Sequence, residues 1–157
     1  MTSGIDPDSF GFLVNDVARL TRQEFDRRTL EAGFGLTPGD GRTLSHVGRA
    51  DGARQNVLAE RMGVEAMTLS GALDRLEARG LVLRQADPAD RRAKLVSLTE
   101  AGAELLSQLQ PIGASLRKDA AAGLDAPEWA SLIDMLKRVR TNLQRARSEG
   151  QRRDDAA

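Results

Sequence analysis

QNVLAERMGVEAMTLSGALD, residues 55–74, is the stretch whose spacing decides the fold. Ala59 is the small residue that two helices crossing at close range require, and Gly63 supplies the positive φ of a tight interhelical turn. Leu58, Met62, Val64, Leu69 and Ala72 then fill a small core between one helix over Gln55 to Arg61 and a second over about Glu65 to Arg79. Leu69, Leu73 and Leu76 of the second helix face inward. Gly80 stands just past its end, where a left-handed residue is wanted. Any helical hairpin with a glycine turn imitates this spacing, so the pair alone does not settle function.

Downstream, Leu81 to Gln85 and Lys94 to Leu98 are short β-prone runs separated by Asp87-Pro88-Ala89-Asp90. Asp followed by Pro is the opening of a type I turn, so strand, turn and strand make a hairpin. Upstream, Phe10, Leu13, Val14, Val17, Leu20 and Phe25 mark one face of a long amphipathic helix to about Glu31, which Gly33 and Gly35 end. Thr37-Pro38 reads as a helix cap and first helical position, opening a short helix to about Gly48. Ala50 to Ala53 is a turn or short strand.

Beyond the hairpin, Thr99 caps a helix whose stripe is Leu105, Leu109, Ile112 and Leu116, with Pro111 expected to kink it. A last helix from about Ala126 carries Trp129, Leu132, Ile133, Leu136, Val139 and Leu143. Ser148 to Asp155 is all polar, and residues 148–157 read as a disordered tail. The hairpin lobe is too small to cover these outer stripes, so a bundle with the first helix and a second chain are both candidates to bury them.

The composition narrows the function. The chain has 157 residues, 40% of them apolar, which suits one globular domain. No run approaches a membrane span, and Met1-Thr2-Ser3-Gly4-Ile5-Asp6 lacks the basic start and apolar run of a secretory signal, so a cytoplasmic protein is expected. The absence of cysteine excludes a disulfide framework, a thiolate metal site and thiol redox switching. His46 is the only histidine. Without a glycine-rich phosphate loop, metal-ligand spacing or a nucleophile with a base, the chain reads as a non-enzyme with no metal and no cofactor. Lys and Arg total 23, as do Asp and Glu, so the net charge is zero, which by itself argues against nucleic acid. The neutral total still hides a basic hairpin, where Arg84, Arg91, Arg92 and Lys94 outnumber Asp87 and Asp90.

The spacing over 55–74 resembles the bacterial helix-turn-helix, and the hairpin sharpens the likeness. Residues 79–84 (RGLVLR), 87–94 (DPADRRAK) and 98–102 (LTEAG) closely resemble the MarR family of winged helix-turn-helix regulators, SlyA-like members above all. Leu73-Asp74-Arg75-Leu76-Glu77 and Gly35-Leu36-Thr37-Pro38 fit the same family, and the likeness runs from about Phe10 to Leu143. It implies a mainly α fold with a small β-wing, a single MarR-type domain over 1–157. Within it, 36–98 forms the winged helix-turn-helix lobe, and 9–35 with 99–147 supply the dimerisation helices. It further implies a homodimer on a pseudo-palindromic DNA operator, with Leu105, Leu109, Trp129, Leu132 and Leu136 in the dimer contact.

The same resemblance assigns roles. The wing is Asp90, Arg91, Arg92 and Lys94: Asp90 pairs with and aims one arginine while Arg91 or Arg92 enters the minor groove. The recognition helix presents Ala66, Met67, Thr68, Ser70, Gly71 and Arg75. Thr68 and Ser70 can bond to bases or phosphates, and Met67 or Ala66 can touch a thymine methyl. Many relatives carry arginine where this chain has Gly71, so strong direct readout from that position is lost. Asp74 and Glu77 pair with Arg75 or Arg79, or anchor the wing. A repressor released by a small aromatic or phenolic anion is implied, with His46 either in its pocket or structural. The alternative function is a winged-helix protein-interaction module that does not read DNA.

Overall fold

Gly63 has a φ of +63° and joins two helices at the turn the sequence predicts. The computed structural model describes Gly4 and residues 6–154. In chain order the elements are α1 (Phe10–Glu31), α2 (Asp40–Arg49), β1 (Ala53–Arg54), α3 (Gln55–Met62), α4 (Ala66–Ala78), β2 (Val82–Asp87), β3 (Asp90–Leu98), α5 (Glu100–Ala120) and α6 (Ala126–Asp154). At the α3–α4 turn the Gly63 N–H donates to the Glu60 carbonyl and the Val64 N–H to that of Ala59, both at 3.1 Å. This double closure satisfies carbonyls that a helix end leaves without partners. The end of α4 repeats it, with Gly80 to Glu77 at 2.8 Å and Leu81 to Leu76 at 2.9 Å.

The start of α2 differs from expectation. Thr37 and Pro38 precede the helix instead of opening it. The Asp40 N–H donates to the Thr37 carbonyl at 3.0 Å and Gly39 has a φ of +88°, so Thr37 to Asp40 is a type II turn with Pro and Gly at its two central positions. Glycine at the third position diverts the chain before it can become helical. Thr37 instead donates to the Asp40 carboxylate from its N–H, at 3.2 Å, and from its hydroxyl.

The core gathers Leu44 and Val47 of α2, Leu58 of α3, Leu69, Leu73 and Leu76 of α4, Val82 and Val96 of the sheet, and Leu109 of α5. Met62 and Val64 flank it, half-buried. The sheet is antiparallel in the order β1-β3-β2, so the two-residue β1 joins the predicted hairpin as a third strand. Thr99 caps α5 as expected, its hydroxyl accepting the Gly102 N–H at 3.0 Å and donating to the Gly80 carbonyl at 2.6 Å. Pro111 lies inside α5 without ending it.

The described chain divides into two compact units, one up to Leu116 and one from Arg117. The second holds the end of α5 and α6. There Asp125 and Glu128 cap α6 reciprocally, each carboxylate accepting the other's N–H at 2.8 Å. Helix α6 continues to Asp154, so residues 148–154 are not the disordered tail expected; 155–157 lie outside the described residues. Glu149, Gln151 and Arg152 are good helix formers, and the Ser148 hydroxyl bonds back to the Gln144 carbonyl at 3.0 Å. No helix among the described residues is long and apolar enough to cross a membrane.

Candidate nucleic-acid interface

The outer face of α4 begins with Ala66, Met67 and Thr68, all exposed, with Met67 at 86%. Ser70 and Gly71 follow, half-buried, because the inward turn of the helix is already taken by Leu69, Ala72 and Leu73. Arg75 is exposed but not free. Its Nη2 lies 2.7 Å from Oδ1 of Asp40, a carboxylate only 3% exposed at the start of α2, and its Nε lies 3.2 Å from both carboxylate oxygens. Arg79 donates to the carbonyls of Gly35, at 2.8 Å, and Phe34, at 2.9 Å. Arg75 of α4 and Arg79 just past its end therefore grip the start of α2 and the segment before it.

Asp74 and Glu77 anchor the wing. Both hold Arg84 of β2, whose Nη2 lies 2.6 Å from Asp74 and 2.5 Å from Glu77. The Arg84 N–H also donates to Glu77 at 3.2 Å. The Arg84 guanidinium holds the Glu77 carboxyl below its usual range. On the far side of the sheet, Arg54 of β1 bonds the buried Asp87 at 2.6 Å, and the Ala89 N–H donates to the same carboxylate at 2.8 Å. These backbone and Arg54 contacts hold the Asp87 carboxyl low. Arg84 and Asp87 are therefore neutralised within the lobe. The net basic tip consists of Arg91, Arg92 and Lys94 against Asp90, all exposed.

A change of register projects that tip. Val82 to Ala86 pair in step with Leu98 to Lys94, but the next residue of β2, Asp87, faces Asp90. Arg91, Arg92 and Ala93 thus have no partner on β2 and form a bulge, a device that re-aims side chains at a strand end. Asp90 does not hold an arginine head group as expected. The bulge turns the Arg92 backbone toward it instead, and its carboxylate accepts the Arg92 N–H at 3.1 Å. A groove of about 410 Å³ separates the tip from the helices, lined by Gln55 and Asn56 of α3, Ala66 of α4, and Asp90, Arg92 and Lys94 of β3. Arg91 is not among its lining residues. Gln55 and Asn56 escaped the sequence reading, since nothing but their place at the start of α3 marks them.

The other expected sites are less concentrated. His46, on α2, is half-buried, and burial, then the charges of Arg49 and Arg42, lower its pKa, so it is neutral near pH 7. Leu109 is 2% exposed within the core of its own chain and is not available to a partner; Leu105 packs half-buried against the same core. In α6, Trp129 and Leu132 are half-buried and Leu136 is 46% exposed. In α1, within the 9–35 segment expected to serve dimerisation, Phe10, Leu13, Val14, Val17 and Leu20 are 44–62% exposed and form an uncovered apolar face.

Comparison with known proteins converges on one kind of protein. The MarR family profile matches residues 34–93, from the loop after α1 to the wing bulge. A Pseudomonas aeruginosa protein assigned as a transcriptional regulator is 33% identical, with a TM-score of 0.63, over 84% of this chain and 97% of that one. Wild-type MarR from E. coli, in its apo form, is 28% identical, with a TM-score of 0.71, over 83% and 96%. A Listeria monocytogenes protein assigned to the MarR family, solved in complex with a 26mer DNA, shares the fold with a TM-score of 0.74 at 23% identity, over 87% and 89%.

Proposed function

The chain belongs to the MarR family, a family of DNA-binding transcriptional regulators and not of enzymes, and from that premise we propose that it acts in the cytoplasm as a homodimer on a pseudo-palindromic operator. The observation that carries this reading is the wing tip. Arg91 and Arg92 stand exposed on a bulge without a partner carboxylate among the described residues, across a groove from the exposed start of α4. A helix start in the major groove leaves the phosphate backbone running through such a groove and a basic tip at the adjacent minor groove. Arg92 and Lys94, which line the groove, meet phosphate; Arg91, outside it, enters the minor groove, where A·T-rich narrowing concentrates negative potential.

The dimer is supported by the uncovered stripe of α1 and the exposed Leu136 and Leu143 of α6. Two copies related by a two-fold axis would set their α4 helices on half-sites about 34–36 Å apart. A small aromatic anion as releasing effector, and with it a repressor's role, rests on family membership. A neutral, half-buried His46 suits the wall of such a pocket.

The test is a titration of the protein with DNA from its own upstream region, followed by gel shift and repeated with Arg91 and Arg92 both changed to Ala. The parent is expected to give a discrete shift that weakens steeply with salt, and the double variant to lose it. Binding by the double variant equal to the parent's would remove the wing from the interface. No shift by the parent would leave a protein-interaction module as the surviving reading.

A further inference from the structure

Gly71 leaves a gap on the outer face of α4, and the guanidinium of Arg75 lies over it. A β-carbon at position 71 would stand 3.6 Å from Arg75 Nη1. Long helical side chains lean toward the helix start, back over the residue four earlier, which accounts for the reach. Asp40 fixes the position. Its carboxylate takes the side-on edge of the guanidinium, through Nε and Nη2, and is itself held by the N–H and hydroxyl of Thr37. A guanidinium has a second, end-on fork made by Nη1 and Nη2. Among the described residues Arg75 makes no hydrogen bond through Nη1, and its side chain is 50% exposed.

We propose that Asp40 is a positioning residue that aims the end-on fork of Arg75 outward over Gly71, so that Arg75 supplies the planar contact to DNA for which position 71 has no side chain. The chemistry recognised is a pair of acceptors side by side, either the O6/N7 edge of a guanine or two oxygens of one phosphate. A side-on partner that is buried and three-fold bonded leaves the fork one orientation, which suits bidentate recognition better than a mobile arginine does. The inference rests on the DNA-binding reading above and extends it to a buried residue of α2.

The experiment uses a duplex that the parent protein selects from a random-sequence pool, with affinities read by fluorescence anisotropy for the parent, Asp40→Asn, Arg75→Ala and the double variant. Each single variant is expected to bind about tenfold more weakly or worse. The double variant should bind no more weakly than Arg75→Ala alone, because Asp40 acts only through Arg75. Losses that multiply in the double variant overturn the proposal. Should Asp40→Asn fail to melt cooperatively, Arg75→Lys decides: it keeps the charge and loses the fork, so binding close to the parent's overturns the proposal and a loss close to that of Arg75→Ala supports it. In the supporting case, a salt slope reduced by about one in Arg75→Ala marks a phosphate, and an unchanged slope with relaxed base preference marks guanine. A parent that selects no duplex overturns the DNA-binding reading and this proposal with it, whereas selection followed by multiplying losses overturns this proposal alone.

Discussion

Gly71 occupies the interior of a 13-residue helix, where glycine costs about 1 kcal/mol relative to alanine through backbone entropy. The position has room for a methyl group, since an added β-carbon meets only Arg75 Nη1, at an ordinary contact distance of 3.6 Å. Gly71→Ala is therefore expected to stabilise the protein by about 1 kcal/mol, seen as a higher midpoint in urea with an unchanged slope. A lower midpoint would show that the guanidinium needs the bare helix surface. Glu77 gives a second residue-level expectation. Its carboxyl is held below the usual carboxylate range, chiefly by its hydrogen bonds with Arg84. A depressed folded-state pKa contributes stability that is complete above the unfolded value and lost as pH falls through the folded one. The wing anchor is thus intact at neutral pH and loosens only in acid, below the usual range of a glutamate. The Arg84 amide, which donates to Glu77, should report this as an NMR shift titrating below that range, and Glu77→Gln should flatten it. A titration at or above the usual value of a glutamate would mean that the pair does not form in solution.

At the scale of elements, the contact of α5 with the end of α4 is the least tolerant. The first turn of α5 lies on the backbone of Leu81, whose carbonyl accepts the Thr99 N–H at 3.1 Å. A β-carbon at Gly102 would fall 1.9 Å from that carbonyl oxygen, so backbone must move to admit it. Gly102→Ala should cost about 3 kcal/mol, whereas Gly150→Ala, in the open on α6, should be neutral or stabilising. Thermal melts of both check this, and equal midpoints would refute the close approach. The sequence announced the elements themselves because each has a local cause: period-3.6 stripes, Gly63 and Gly80 at helix ends, Asp-Pro at the hairpin turn. It marked the close approach at Gly102 only as part of a family motif, since closeness belongs to two segments at once. The same reason hid the partner of Arg75, which lies 35 residues away, and the burial of Leu109, whose stripe looks alike whether its own core or a second chain covers it. The wing bulge was not legible either. Strand periodicity assumes an even register, and here Ala86 faces Lys94 while Asp87 faces Asp90. The start of α2 was misplaced because Thr-Pro serves a cap and a type II turn equally, and only Gly39 separates the two.

A zero net charge goes together with a basic wing tip and an apolar stripe on α1, both exposed. Once Arg84 and Arg54 are matched with their carboxylates, the net basic residues of the wing are Arg91, Arg92 and Lys94, so random DNA should be held weakly there, and duplication of the tip becomes a condition of useful affinity. The apolar surface on α1 is what would duplicate it. Val17 stands at the middle of that stripe and is 62% exposed in the single chain. Removing it therefore disturbs almost no internal packing, and an exposed substitution of this kind changes stability by about 0.5 kcal/mol or less. In a two-fold contact the same residue would be buried on both sides, and Val17→Glu would place two unpaired charges there, which dimerisation does not tolerate. The expected result is a separation of properties. Sedimentation velocity should find the parent as a dimer and Val17→Glu as a monomer, with circular dichroism unchanged and operator affinity lost together with the dimer. A Val17→Glu protein that still sediments as a dimer would move the interface off the α1 stripe. A parent that is monomeric at micromolar concentration would remove the homodimer, leaving each wing to act on its own half-site.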